Sequence, residues 1–333
     1  MFEGFANVWT PVTLGARLRK GKLLPFEIAG TKIVLFRDPD GSPKALVDQC
    51  PHRGVALSLG KIASDGCIEC PFHGWRFDGK GNTCAVPWNP EAKLDKLHAQ
   101  PVPALERAGL VWVYTDVGVS ASHEPEISDM LLRENTRVTT VEIDWKTHWT
   151  RAMENMLDWP HLPFVHAKTI GKGMLASSNA RMDVHWEERP WGAHSSISID
   201  GKPHAGSLDF RWPNMMNLFI PIPENKLVLA AACVPVNKTT TRMVLVNYRR
   251  FMLSPLFDPF FDIMNKRIAT EDQAIVESSN PPEIPPARDE QSVRTDALTL
   301  AFRKRYFNEL RDSAVTPAPR RGALPVLRPI AAE

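Results

Sequence analysis

The sequence predicts an α+β chain in which a small antiparallel β domain precedes a larger antiparallel sheet decorated with helices. Three observations carry this reading. Between residues 30 and 115, short apolar runs alternate with Pro- and Gly-bearing turns. Between 183 and 251, apolar and polar residues alternate at the strand period. Near 144–158, 260–277 and 297–310, the apolar spacing becomes helical. At ~100–200 residues per domain, a chain of 333 residues is expected to form two domains, each with its own core.

In chain order, strands are expected at Lys32–Phe36, Ala45–Asp48, Cys67–Cys70, Trp75–Phe77 and Leu110–Tyr114. The breaks between them include Asp38-Pro-Asp-Gly41 and Asp78-Gly-Lys-Gly81. A polar stretch from Asp116 to Glu126 marks the expected boundary, giving domains 1–117 and 118–333. Asp144 is the expected N-cap of a helix running to Asp158, which Pro160 ends. Strands follow at Ser195–Ile199, Leu227–Cys233 and Met243–Tyr248, then helices at Phe260–Glu277 and Ala297–Leu310. The prolines of Val315–Pro329 argue against regular structure there.

Composition excludes several classes of function. Forty Lys and Arg against thirty-eight Asp and Glu leave a charge of +2, so no global field draws the chain to nucleic acid or anionic lipid. The longest apolar run, Leu227 to Val236, contains Pro235 and falls well short of the ~20 residues that span a bilayer. Met1 to Pro11 lacks the pattern of an export signal, so a cytoplasmic protein with reduced thiols is expected. Gly79-Lys-Gly81 lacks the third glycine and the βαβ setting of a dinucleotide loop, so no NAD site is expected.

Cys50-Pro-His52-Arg-Gly54 is followed, after the seventeen residues Arg53 to Glu69, by Cys70-Pro-Phe-His73-Gly74-Trp75. Two thiolates and two imidazoles on paired loops suit a tetrahedral zinc ion. They suit equally a [2Fe–2S] centre with two His on one iron, each loop giving its Cys to one metal and its His to the other. The pattern resembles the Rieske proteins, and the resemblance implies a cluster held by Cys50, His52, Cys70 and His73. The respiratory-chain type adds a disulfide Cys in each loop and a Ser bonded to sulfide. Val55, Phe72 and Trp75 stand in those places, which implies a potential toward the low end of the range. Cys67 reads as a strand residue, Cys84 and Cys233 as small hydrophobes.

Asn155-x-x-Asp158-x-x-His161-x4-His166 places two His five apart beyond a helix. It resembles the iron motif of the Rieske non-haem iron oxygenases, and most closely of their small monooxygenases and O-demethylases, the vanillate and dicamba type. Two His and one carboxylate leave open positions on Fe(II) for oxygen. Glu271, Asp272, Glu277 and Asp289 are candidates for the carboxylate, and the resemblance selects Asp272. It further implies a helix-grip-like catalytic domain, Asn155 beside the iron, and Asp158 bridging His161 to His73 of the next subunit in a homotrimer.

The implied function is a terminal oxygenase. It takes electrons from a separate NAD(P)H-dependent reductase, directly or through a ferredoxin, to hydroxylate or demethylate an aromatic or polycyclic molecule. A ring-dihydroxylating dioxygenase and a non-catalytic Rieske carrier are the alternatives. Arg53, Lys61, Arg76 and Lys80 are candidates for a basic collar that receives an acidic partner. Trp212, Asn214, Met216, Asn217 and Phe219, at a strand edge, are the candidate substrate contacts.

Overall fold

The computed structural model describes residues 1–172, 174, 179–222 and 226–311. The expected unstructured segment Val315–Pro329 lies outside them.

Eleven short strands build the N-terminal half. A three-stranded sheet joins β1 (Trp9–Leu14), β11 (Leu110–Tyr114) and β10 (Ala104–Arg107). A second holds β2 (Leu24–Ile28), β3 (Thr31–Arg37), β4 (Pro43–Val47) and β9 (Pro101–Val102). A third is the small meander β5 (Lys61–Ile62), β6 (Ile68–Glu69), β7 (Arg76–Phe77) and β8 (Thr83–Ala85). Buried Val34, Phe36, Leu46, Leu57, Ile68 and Phe77 form a separate apolar cluster with Cys50 and Cys70.

The second half is a seven-stranded antiparallel sheet. Its strands are β12 (Arg137–Trp145), β13 (Met182–Arg189), β14 (Gly192–Ile199), β15 (Lys202–Arg211), β16 (Met215–Phe219), β17 (Leu227–Asn237) and β18 (Thr240–Arg249), in spatial order β12-β18-β17-β16-β15-β14-β13. Among the described residues four α-helices accompany it: α1 (Trp149–Leu157), α2 (Leu162–Val165), α3 (Asp258–Glu277) and α4 (Ala297–Tyr306). The halves are joined through backbone: at the β2–β3 turn, Ala29 and Gly30 donate to Pro235 O and Val236 O at 2.7 and 2.8 Å. Among the described residues no helix is long and apolar enough to cross a membrane.

Asp144 is not a helix cap. Strand β12 continues through Trp145, and Asp144 faces Arg242 across the sheet in a two-point ion pair. The α1 cap is His148, whose Nδ1 lies 2.8 Å from the Thr150 hydroxyl and accepts from Thr150 N–H. Burial pushes the His148 imidazole down to about 4, with Glu283 opposing and Arg311 and Lys238 adding to the shift. The unfolded chain therefore binds a proton between pH ~6.5 and 4 that the folded chain does not, and stability rises with pH across that window. A loss of about 3 kcal/mol is expected on acidification from 6.5 to 4. Denaturant titrations against pH check it, and His148→Asn, which caps without titrating, should flatten the dependence.

Helix α3 is anchored at its start by fully buried Arg249, which bonds Asp258 and Met252 O and lies over Phe261 at 4.6 Å. Its buried stripe is Phe261, Asn265, Ala269, Asp272 and Val276. A carboxylate in such a stripe has no packing reason to be there. Arg303 bonds both oxygens of Glu154, and Arg303 and Arg151 both bond Glu290. This network ties α1 to α4.

Candidate metal centres

The two Cys/His loops are near copies of each other. Cys50 N–H donates to Val55 O and Gly54 N–H to Cys50 O, both at 2.8 Å. Cys70 N–H donates to Trp75 O at 2.8 Å and Gly74 N–H to Cys70 O at 3.1 Å. Gly54 and Gly74 sit at φ +72° and +71°, a left-handed conformation that glycine takes without steric cost. Asp48 closes the first loop by accepting from both Ser58 N–H and Ser58 Oγ–H.

Cys50 and Cys70 are buried side by side, and burial, reinforced by the neighbouring Cys70, pushes the Cys50 thiol up to about 11. A thiolate at this place needs a cation. The imidazoles pair separately: His52 and His73 have ring centroids 4.6 Å apart, and His52 stacks on Trp75 at 4.5 Å with 2° between the planes. His52 Nδ1 is buried without a partner. Thiol beside thiol and imidazole beside imidazole is the donor set for two metals. Among the described residues, the four donors include no group of three within 4.8 Å, as one tetrahedral ion would need.

Two cysteine readings are corrected. Cys67 and Cys84 form a disulfide that bridges β6 and β8 across β7, because the short meander brings the residue before β6 beside the far strand. Cys233 is fully buried and free. The collar is half neutralised, since Arg76 pairs with Asp65 and Lys61 with Glu69, while Arg53 and Lys80 remain exposed.

A second cluster forms where α1 ends. Asp158 is its C-cap in extended conformation, and its carboxylate accepts from His161 N–H at 3.1 Å and lies 3.3 Å from His161 Nδ1. Asp272 Oδ1 is 3.1 Å from His166 Nε2 and 3.6 Å from His161 Nε2. One atom each from His161, His166 and Asp272 lies within 4.8 Å of the others, with Asp272 only 2% exposed. An anion so buried implies a cation, and the donors suit a divalent metal of the His/carboxylate class.

The other acids are placed elsewhere. Glu271 Oε2 holds the far ring nitrogen of His166 at 2.8 Å and accepts from Thr169 at 2.7 Å, with Arg267 on its other oxygen. Glu277 accepts from Lys146 N–H and Gln273, and Asp289 is exposed beside Arg288.

A cavity opens beside this triad, bordered by Asn155, Asp158, His161, His166 and Asp272 and otherwise mostly by apolar side chains. Its sheet wall follows from register. Leu208, Leu218 and Leu229 stand opposite one another on β15, β16 and β17, and Met216, Ala231 and Leu245 form the next row on β16, β17 and β18.

Of the five expected substrate contacts, only Met216 borders the cavity. Asn217 and Phe219 lie on the opposite pleat, one residue out of phase. Asn214 is buried, bonded to Thr10 and Cys233 O, and Trp212 packs on Phe302. Residues that border the cavity but were not among those expected include Trp145, Leu218, Ala231, Leu245 and Asn265. The strand alternation of Met216 and Leu218 and the α3 stripe were the available signals.

Paired Cys/His loops, followed by a domain whose helices bring His161, His166 and Asp272 together beside its sheet, form the arrangement expected of a Rieske-type oxygenase. Residues 8–103 match the Rieske [2Fe-2S] domain family, and residues 145–214 match the Vanillate O-demethylase oxygenase C-terminal domain. The chain is 29% identical over 303 residues to methylxanthine N3-demethylase NdmB of Pseudomonas putida, covering 86% of this chain and 83% of that one. It is 28% identical over 284 residues to the chloroplastic chlorophyllide a oxygenase of Chlamydomonas reinhardtii, and spans 42% of that protein's length. The solved structure of Pseudomonas putida CBB5 NdmB superposes with a TM-score of 0.75 at 26% identity, covering 90% of this chain and 89% of the other. Dicamba monooxygenase bound to dicamba gives 0.72 at 20% identity, covering 92% and 97%.

The chain thus carries a Rieske [2Fe–2S] domain followed by a segment of the vanillate O-demethylase oxygenase type, and its relatives include Rieske oxygenases of the demethylase type. The Rieske oxygenase family uses a mononuclear iron at the catalytic site.

Proposed function

We propose that this chain is the terminal oxygenase of a Rieske monooxygenase system, which hydroxylates or oxidatively demethylates a small aromatic or polycyclic molecule. The observation that carries the reading is the apolar cavity bordered directly by His161, His166 and Asp272. In this reading Cys50, His52, Cys70 and His73 hold the [2Fe–2S] cluster, and His161, His166 and Asp272 hold Fe(II). When bound, these groups supply one-electron transfer and activation of O2.

The protein's own residues do the positioning. Asp158 orients the His161 ring, Glu271 orients His166, and the Leu and Met wall excludes water and holds the substrate. Asn155 borders the cavity with its amide Nδ2 unpartnered, which supports a role beside the metal rather than as one of its ligands. His73 is exposed, and the Asp158 side chain is 30% exposed, as an electron path between subunits requires. Exposed Leu59 and Phe72 on the cluster side, and Leu256, Phe260 and Ile263 near the start of α3, are apolar surface for a homotrimer to cover. Electrons come from a separate NAD(P)H-dependent reductase, with or without a ferredoxin, in the cytoplasm.

The test supplies holoenzyme with a reductase and labelled O2, using methoxy-aromatics, N-methyl heterocycles and polycycles as substrates. Substrate-dependent O2 uptake, with one labelled oxygen in a hydroxylated product or with release of formaldehyde, is expected. Two labelled oxygens in a cis-diol would instead establish the dioxygenase, and electron acceptance without O2 uptake the carrier.

A smaller effect tests the role of Glu271. Glu271→Ala should weaken Fe(II) binding about ten- to a hundredfold. Glu271→Gln, whose amide oxygen still accepts from His166 Nδ1–H, should retain most of it. Anaerobic metal titration reads both variants.

A further inference from the structure

We propose that Cys67 and Cys84 form a reversible redox clasp: exchange with a small disulfide closes the pair, and the closed pair slows loss of the metal cluster from the loop that carries Cys70 and His73. The proposal goes beyond the oxygenase reading and rests on it only for the ligand role of that loop.

The clasp sits at the margins of the loop. Cys67 stands three residues before Cys70, and the loop leaves through Trp75 into β7. Strand β6 pairs with β7 through Ile68–Phe77 and Glu69–Arg76, and β7 pairs with β8 through Phe77–Thr83 and Arg76–Ala85. Cys84 falls between Thr83 and Ala85 with no residue opposite it on β7, so it is the extra residue of a β-bulge. Bulges re-aim a side chain, and this one accompanies the reach of Cys84 over β7 to Cys67. The other end is held as well: Asp65 accepts from Cys67 N–H at 3.1 Å and pairs with Arg76 of β7 at 2.6 Å. A meander of such short strands has little cohesion of its own. A covalent tie from the residue before β6 to β8 therefore restrains the loop between β6 and β7.

Exposure and setting make the tie reversible. Cys84 is half-buried and Cys67 buried, which favours attack by an incoming thiolate at the Cys84 sulfur. In the cytoplasm, where this chain is proposed to work, thiols are kept reduced and a disulfide is commonly transient and redox-sensing. The exchange balances. The two protein thiols and one glutathione disulfide give the protein disulfide and two glutathione thiols, with two electrons and two protons passing to the small molecule.

The holoenzyme, without reductase, is equilibrated anaerobically in glutathione buffers that run from strongly reducing to strongly oxidising. Alkylation and mass spectrometry read the state of Cys67 and Cys84, and visible absorbance in excess chelator follows cluster loss. The pair should pass from dithiol to disulfide within the series, and the dithiol form should lose its cluster at least about fivefold faster. Cys67→Ser/Cys84→Ser should lose it at the dithiol rate in every buffer. A pair that keeps one state throughout, equal loss rates for the two forms, or a buffer dependence that survives the double substitution would overturn the proposal. The wild-type comparison across buffers decides the matter alone if the variant does not fold. A reduced protein with no Rieske resonance signal would fail the cluster reading instead, while the thiol state, read by mass, still tests the clasp.

Discussion

Replacing Asp272 by alanine is expected to remove about one iron per chain and at least ~10³-fold of turnover while leaving the Rieske spectrum unchanged. The size follows from what the carboxylate does. Its Oδ1 lies within reach of both imidazole Nε2 atoms, so without it two neutral ligands remain in a half-buried pocket. Loss of the metal forfeits several kcal/mol of transition-state stabilisation. His161→Ala and His166→Ala should behave alike. Iron analysis beside electron paramagnetic resonance of the reduced protein checks all three. Full iron retention in Asp272→Ala would remove Asp272 from the ligand set, and Glu271, held on the far side of His166, is the acid next to it in the helix.

The second large effect concerns the path between the centres. Asp158→Asn should keep both metals yet slow electron transfer by two or more orders of magnitude, because an amide oxygen cannot accept from two imidazole N–H groups as a carboxylate does. If the path crosses between subunits, chains with a dead cluster (Cys50→Ala) and chains with a dead iron site (His161→Ala) are each inactive alone. Co-expressed in mixed trimers, they should regain activity, since an intact cluster on one chain then faces an intact iron site on the next. Mixed trimers that form and stay inactive with excess reductase would place the path within one subunit.

What the sequence disclosed, and what it hid, follows from the range of the physics involved. The cluster loops were legible because their donors lie within four residues of one another and their glycines mark the turns. Leu110–Tyr114 was legible because a fully buried strand reads as a continuous apolar run. The helix start at His148 was not, since Asp144 is a plausible cap in sequence and only pairing with Arg242 across the sheet keeps it in a strand. Asp272 stood 106 residues from His166 by number, and its selection needed resemblance. Its position in the buried stripe with Asn265 and Ala269 supplies the independent physical reason. Of the β16 residues expected at the substrate, Met216 borders the cavity while Asn217 and Phe219 do not, because a strand sends alternate side chains to opposite faces. The Cys67–Cys84 disulfide joins residues that meet only through the meander's topology, and nothing local announces it.

One chain is expected to hold a two-iron cluster and a separate catalytic iron, so iron and acid-labile sulfide measured on the purified holoenzyme should come to about three irons and two sulfides per chain. Two irons with two sulfides would leave an electron carrier without a catalytic metal, and zinc without sulfide would contradict the cluster itself.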